Sequence, residues 1–294
     1  MKLIRWCVGA GTLLLAASPT WAGDAKGQFV VKGGKTSGTI APTHAAAYVT
    51  RDPRDVRHTV TELALTEAPI DVDAAIATLQ PHTHVINQDV LDDRNYVLLW
   101  VAPDGHVSMN ATFSQTMTQF VDKIGDSLKA TLTVNTPERV AGRVFTAKPV
   151  TTMGGETYSV DLTFDTAVTR VPPGTPLGPG GGAPGNALSA FLAAVKKQQW
   201  PAIKAALAPS ALATFEKSYN SPEENASSTA DILQAWLPKG GLKITGGQLR
   251  GDVADLEVEG EMFPGTNALY AARLRQVGGT WLFDSAGMVG MLQQ

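Results

Sequence analysis

Pro172–Gly185 reads PPGTPLGPGGGAPG, eleven prolines or glycines in fourteen residues. Such a run has almost no side chains to pack, and its prolines remove ladder donors, so it reads as a flexible connection belonging to neither flanking core. It parts 149 residues (Gly23–Val171) from 109 (Asn186–Gln294), each long enough to fold as a domain. The organisation this predicts is a leader over 1–22, a β-sandwich domain over 23–171, a linker over 172–185 and an α+β domain over 186–294.

Upstream of the linker, short alternating runs recur between turn signals: Gln28–Lys32, Thr39–Thr50, Thr59–Thr66, Tyr96–Val101, His106–Phe113, Ser127–Asn135, Val140–Lys148 and Glu156–Ala167. Gly33-Gly34, Pro103-Asp104-Gly105, Thr136-Pro137-Glu138 and Gly154-Gly155 punctuate them. In the last run Tyr158, Val160, Leu162 and Phe164 alternate with polar residues, the pattern of a strand with one dry face. Only Asp71–Leu79 reads as helix. Eight short strands imply an antiparallel sandwich. With Gly142-Arg143 in a late strand and an aromatic final strand, this half is similar to an uncharacterised bacterial exported β-domain.

Downstream, helices precede strands. Asn186 can cap a helix with Leu188, Phe191, Leu192 and Val195 on one face, and Pro201 restarts it at a first-turn position. Ala211–Tyr219 continues the helical stripe, and Ser228 with Asp231 makes a capping box for a helix that stops at Pro238. Strands follow at Leu242–Leu249, Ala254–Met262, Ala268–Gln276 and Thr280–Ser285, with Gly278-Gly279 turning the last hairpin. The order, and above all the hairpin Ala272–Phe283 with Trp281 and Phe283, resembles the nuclear-transport-factor-2-like superfamily, including its SnoaL-like and lumazine-binding-like members. That resemblance implies a curved antiparallel sheet wrapped on about three helices around a conical cavity. It also implies frequent homodimers through the open face of that sheet, and contents of the cavity that differ between members.

Lys2 and Arg5 precede an apolar run, Cys7–Ala17, and a small-residue stretch ending at Ala22, which reads as a cleaved export signal. The run is too short for a bilayer span, which takes about 20 residues. Periplasmic or secreted localisation follows, with no transmembrane anchor after cleavage. Cleavage leaves 22 basic against 27 acidic residues, a net of −5, which argues against nucleic acid as a partner. The single cysteine, Cys7, leaves with the signal, so the mature chain has no thiolate nucleophile or cysteine metal site.

Candidate chemistry is sparse. All five histidines precede the linker, so the second half lacks the imidazole that enzymatic relatives of the cone fold place beside an Asp. Asp231 and Asp284 are the carboxylates available to replace it, although a cap and a strand-end turn account for both. His82 and His84, read on a strand, would share a face and form half a metal site, with His106, Asp89 or Asp92 as a third ligand. The acidic residues Asp255, Glu257, Glu259 and Glu261 read as the solvated face of their strand, or as an edge that repels like-charged neighbours or meets a basic partner. Tyr219, Trp236, Tyr270, Trp281 and Phe283 are the candidate ligand-binding residues if the cone is open, and core if it is filled. The expectation is a non-enzymatic binding or envelope-associated protein without a cofactor, its partner a small apolar ligand or an envelope protein. An enzyme with a carboxylate site in the cone, or a metal near His82 and His84, is the alternative.

Overall fold

The computed structural model describes residues 23–33, 36–87, 94–114, 118–123, 127–218 and 237–292. The expected signal over 1–22 lies outside them. The chain before the Pro/Gly run forms β1 (Gly23–Lys32), β2 (Gly38–Ile40), β3 (His44–Asp52), β4 (Asp55–Thr66), α1 (Val72–Ile76) and α2 (Pro81–Asn87). It continues as β5 (Tyr96–Val101), β6 (Val107–Phe113), β7 (Thr118–Lys123), β8 (Leu128–Asn135), β9 (Arg139–Thr146), β10 (Val150–Thr151) and β11 (Thr157–Thr169).

These strands make one continuous, curled half-barrel in the order β7-β6-β5-β4-β3-β1-β11-β9-β8, with β2 paired to β1 and β10 to β11. A sandwich of two separate sheets is therefore corrected to a single sheet folded over. The cause lies in β11. It pairs antiparallel with β1 and β9 along most of its thirteen residues. Its last residues then run parallel to β3, with Val168 opposite Ala47 and Thr169 opposite Tyr48, which joins the two layers. Gly27, at φ +108°, permits the bend, because a Cβ there would lie 2.0 Å from the Asp161 carbonyl oxygen. The enclosed core holds Phe29 stacked on Tyr158 at 5.5 Å, together with inward residues from nearly every strand.

The outer face of β3-β4-β5 carries a smaller core. Tyr48, Val60, Ala64, Leu98 and Trp100 pack there beneath Ala75 of α1 and Val85 of α2. Asp71 caps α1, its Oδ1 accepting from the Ala74 amide at 3.0 Å. His82 and His84, read from sequence on a strand, lie in the helix Pro81–Asn87, with Pro81 in the first turn where its missing donor costs nothing.

The remaining elements are β12 (Thr175–Leu177), α3 (Gly182–Lys196), α4 (Trp200–Ala205), α5 (Pro209–Ser218), β13 (Gly240–Arg250), β14 (Val253–Phe263), β15 (Thr266–Val277) and β16 (Thr280–Met291). They build an antiparallel sheet in the order β12-β13-β14-β15-β16, with α3 and α5 packed over β16. The Pro/Gly run is not a loose tether. Thr175–Leu177 pairs with β13, and Leu177 packs on the second core. Gly180, Gly181 and Gly182 all have positive φ and turn the chain tightly into α3, with Pro184 buried in its first turn. The helix thus starts at Gly182, and Asn186 lies inside it instead of capping it. The helix expected around Ser228–Pro238 falls almost wholly outside the described residues.

Candidate functional site

Glu62 is the one acidic side chain with no solvent exposure among the described residues. It sits in β4 on the face of Val60 and Ala64, opposite Tyr48 of β3 and Trp100 of β5. That register supplies its partners. Tyr48 donates its hydroxyl to Oε1 at 2.6 Å, and Trp100 donates Nε1 to Oε2 at 2.9 Å. From α2 above, His82 places Nδ1 2.9 Å from both carboxylate oxygens. A buried carboxylate is tolerated only when donors replace its water, and here three side chains do so.

Burial opposes a charge on His82, but the hydrogen bond and negative charge of Glu62 outweigh it and hold the imidazole pKa above its ordinary 6.5. Burial pushes the Tyr48 phenol well up, reinforced by the same carboxylate. Since folding raises the His82 pKa, the charged pair contributes fully below about pH 6.5 and fades as pH climbs through the folded value. Urea midpoints of the wild type and His82→Gln, measured from about pH 5.5 to about pH 9, are expected to converge as pH rises. A gap widening with pH would reverse this sign.

His82 lines a cleft of about 390 Å³ between the two sheets. Val49, Arg51, Val56 and Leu79–Thr83 form one wall; Gln248, Arg250, Asp255–Glu257, Leu269–Ala271, Arg273 and Val289 form the other. Asp255 of β14 accepts from Arg250 at 2.7 Å and from Arg273 at 2.6 and 3.0 Å. Arg273 also donates to the Ala77 carbonyl at 2.6 Å, Gln80 donates to that of Met288, and Arg51 pairs with Glu257. Glycines let the surfaces meet: a Cβ at Gly287 would press on Gln80 at 2.8 Å, and one at Gly290 on Val56 at 2.5 Å. Val56, Leu269, Val289 and Leu292 close one end as a small apolar cluster.

The acidic stripe of β14 is accordingly corrected from a solvated face to a half-buried one, since Asp255 and Glu257 meet arginines of the same chain. The outer face of the second sheet, expected to be open to a second copy, is in part occupied by Arg51, Val56 and Gln80. His82 and His84 do not share a face, because residues two apart on a helix diverge by about 200°. His84 borders a neighbouring pocket beyond Gln80, its Nδ1 buried without a hydrogen-bond partner among the described residues. No group of three metal-ligating side chains occurs among the described residues, and Asp89 and Asp92 lie outside them.

Of the five aromatic candidates, Tyr219 and Trp236 lie outside the described residues, as does Asp231. Phe283 stacks on Phe191 at 4.3 Å and 11°. Tyr270 is buried in the same cluster and borders the cleft, and Trp281 packs half-buried against it. Asp284 accepts from Ser210 at 2.7 Å and lies 3.7 Å from Arg275, tying β16 to α5.

Sequence reasoning missed Glu62, Tyr48, Trp100 and the cleft arginines. The available signal was Glu62 itself, a lone acid inside the dry run Val60–Leu65. No helix among the described residues is long and apolar enough to cross a membrane. No family model matches the chain, and no curated protein matches it in sequence.

Proposed function

We propose that this chain is an exported, non-enzymatic binding protein whose ligand site is the cleft between its halves. In this reading the N-terminal 22 residues are a cleaved signal, and residues 23–171 and 186–294 are two domains. The second is a cone-type member of the nuclear-transport-factor-2-like superfamily. The observation that carries the reading is the cleft, whose roughly 390 Å³ lies in the range of small-molecule sites and whose lining includes the aliphatic residues Val49, Val56, Leu269 and Val289. The interior of the second half supports the choice from the other side, because Phe191 and Phe283 stack there in a core that also buries Tyr270.

The test is binding of the neutral fluorophore N-phenyl-1-naphthylamine to the full mature chain. Saturable binding that Ala271→Trp abolishes by filling the cleft is the expected result. Binding unchanged in that variant, or no binding to the wild type, would refute the site. A catalytic reading has one observation in its favour, the carboxylate-held imidazole of His82 on the cleft wall. Turnover of a small substrate that His82→Asn abolishes would replace the binding reading with it.

A further inference from the structure

The charged groups on the cleft wall are not balanced. Arg51, Arg250 and Arg273 face only Asp255 and Glu257, while His82 is paired with Glu62 behind it, so the lining keeps a positive excess in a chain whose overall charge is −3. Glu62 does not line the cleft. It is wholly buried behind the imidazole, where it engages Nδ1 and leaves Nε2 as the ring nitrogen able to meet a guest. Tyr48 and Trp100 fix the carboxylate, so the ring is held in place before any ligand arrives. Beside this polar group the lining is apolar at Val56, Leu269 and Val289, whereas Leu256 turns into the second core.

Resting on the proposed cleft site, we infer that its ligand is a small amphipathic molecule bearing one anionic group, seated against Nε2 of His82 with its apolar body along Val56, Leu269 and Val289. A charge-assisted hydrogen bond from Nε2 supplies selectivity for the anion, and Arg51 adds to the local positive field. The other charged or titratable groups around this position are Glu62 on β4, His84 on the same helix, and Arg250, Asp255, Glu257 and Arg273 on the second sheet. Guanidinium groups hold their charge throughout the accessible range, whereas the imidazole gives up its proton. Affinity for the anion therefore falls as pH rises through the His82 transition.

The experiment compares two probes with nearly the same apolar body, N-phenyl-1-naphthylamine and its sulfonated counterpart 8-anilinonaphthalene-1-sulfonate. At about pH 6 the wild type is expected to favour the sulfonate, and the ratio of the two affinities is expected to fall about tenfold by about pH 9. His82→Asn is expected to remove that pH dependence. Glu62→Gln, which keeps the volume and removes the charge behind the ring, should shift it to lower pH. His84→Asn should retain it. If the neutral probe does not bind the cleft, the proposed function itself fails. If the neutral probe binds but the ratio is indifferent to pH or to His82, the site stands and the anionic ligand is excluded. Should Glu62→Gln fail to fold, the His82→Asn comparison decides alone.

Discussion

Glu62→Ala is expected to lower the unfolding free energy by about 3–5 kcal/mol, read as a fall in urea midpoint with an unchanged slope. The side chain contributes no apolar burial of consequence; its removal is costly because of what it leaves behind. The Tyr48 hydroxyl, the Trp100 indole N–H and His82 Nδ1 all converge on its two oxygens. Each buried donor left without an acceptor costs about 1–3 kcal/mol, and the vacated volume adds to that. Tyr48→Phe removes one donor and leaves the carboxylate two, so it should cost only about 1 kcal/mol. A loss in Glu62→Ala no larger than in Tyr48→Phe would mean that the carboxylate is not the hub of this cluster.

The second large effect separates a filled interior from an open one. Phe283 is 8% exposed and stacks face to face on Phe191 of α3. Its backbone also bonds to the α4–α5 connection, donating to Ala206 and accepting from Ala208, both at 2.8 Å. Phe283→Ala is therefore expected to cost about 3–5 kcal/mol of stability, the usual penalty for emptying a packed aromatic site. If Phe283 instead lined a hollow, truncation would leave stability almost unchanged and alter only what the hollow holds. Thermal unfolding of the variant distinguishes the two outcomes.

Much of the strand content was legible because one-sided burial leaves a period-two signature. The run Glu156–Ala167 buries Tyr158, Val160, Leu162 and Phe164 as its alternation predicts, and the strand extends the same pattern through Thr166 and Val168. The two-residue turn at Gly278-Gly279 is also where its glycines place it, both at positive φ. The errors share a cause. Local pattern reports which face of an element is dry and says nothing of what covers the other. Asp255 and Glu257 read as solvated because alternation made them the wet face, and only the packing of Arg51, Arg250 and Arg273 reveals otherwise.

His82 and His84 read as a strand pair because imidazoles two apart share a face there, and the helix that starts at Pro81 is too short for its own period to be seen. Glycines misled in a similar way. Flexibility is what Gly180–Gly182 offers in isolation, but positive φ at three successive positions is what a rigid turn into α3 requires. The Glu62 cluster was illegible for a further reason. Its partners lie fourteen, twenty and thirty-eight positions away, and strand register brings Tyr48 and Trp100 beside it.

The pairing of β1 with β11 has a temporal consequence. One side of β1 is met early by β2 and β3, but on its other side Asp24 lies opposite Asp165 and Lys32 opposite Thr157, so that side finds its neighbour only after well over a hundred further residues have been synthesised. Such long-range closure makes folding slow, and it leaves a naked, bonding-competent border on the nascent polypeptide for the whole interval. Chains arrested before Thr157 should therefore cluster with one another, whereas chains arrested after Thr169 should not.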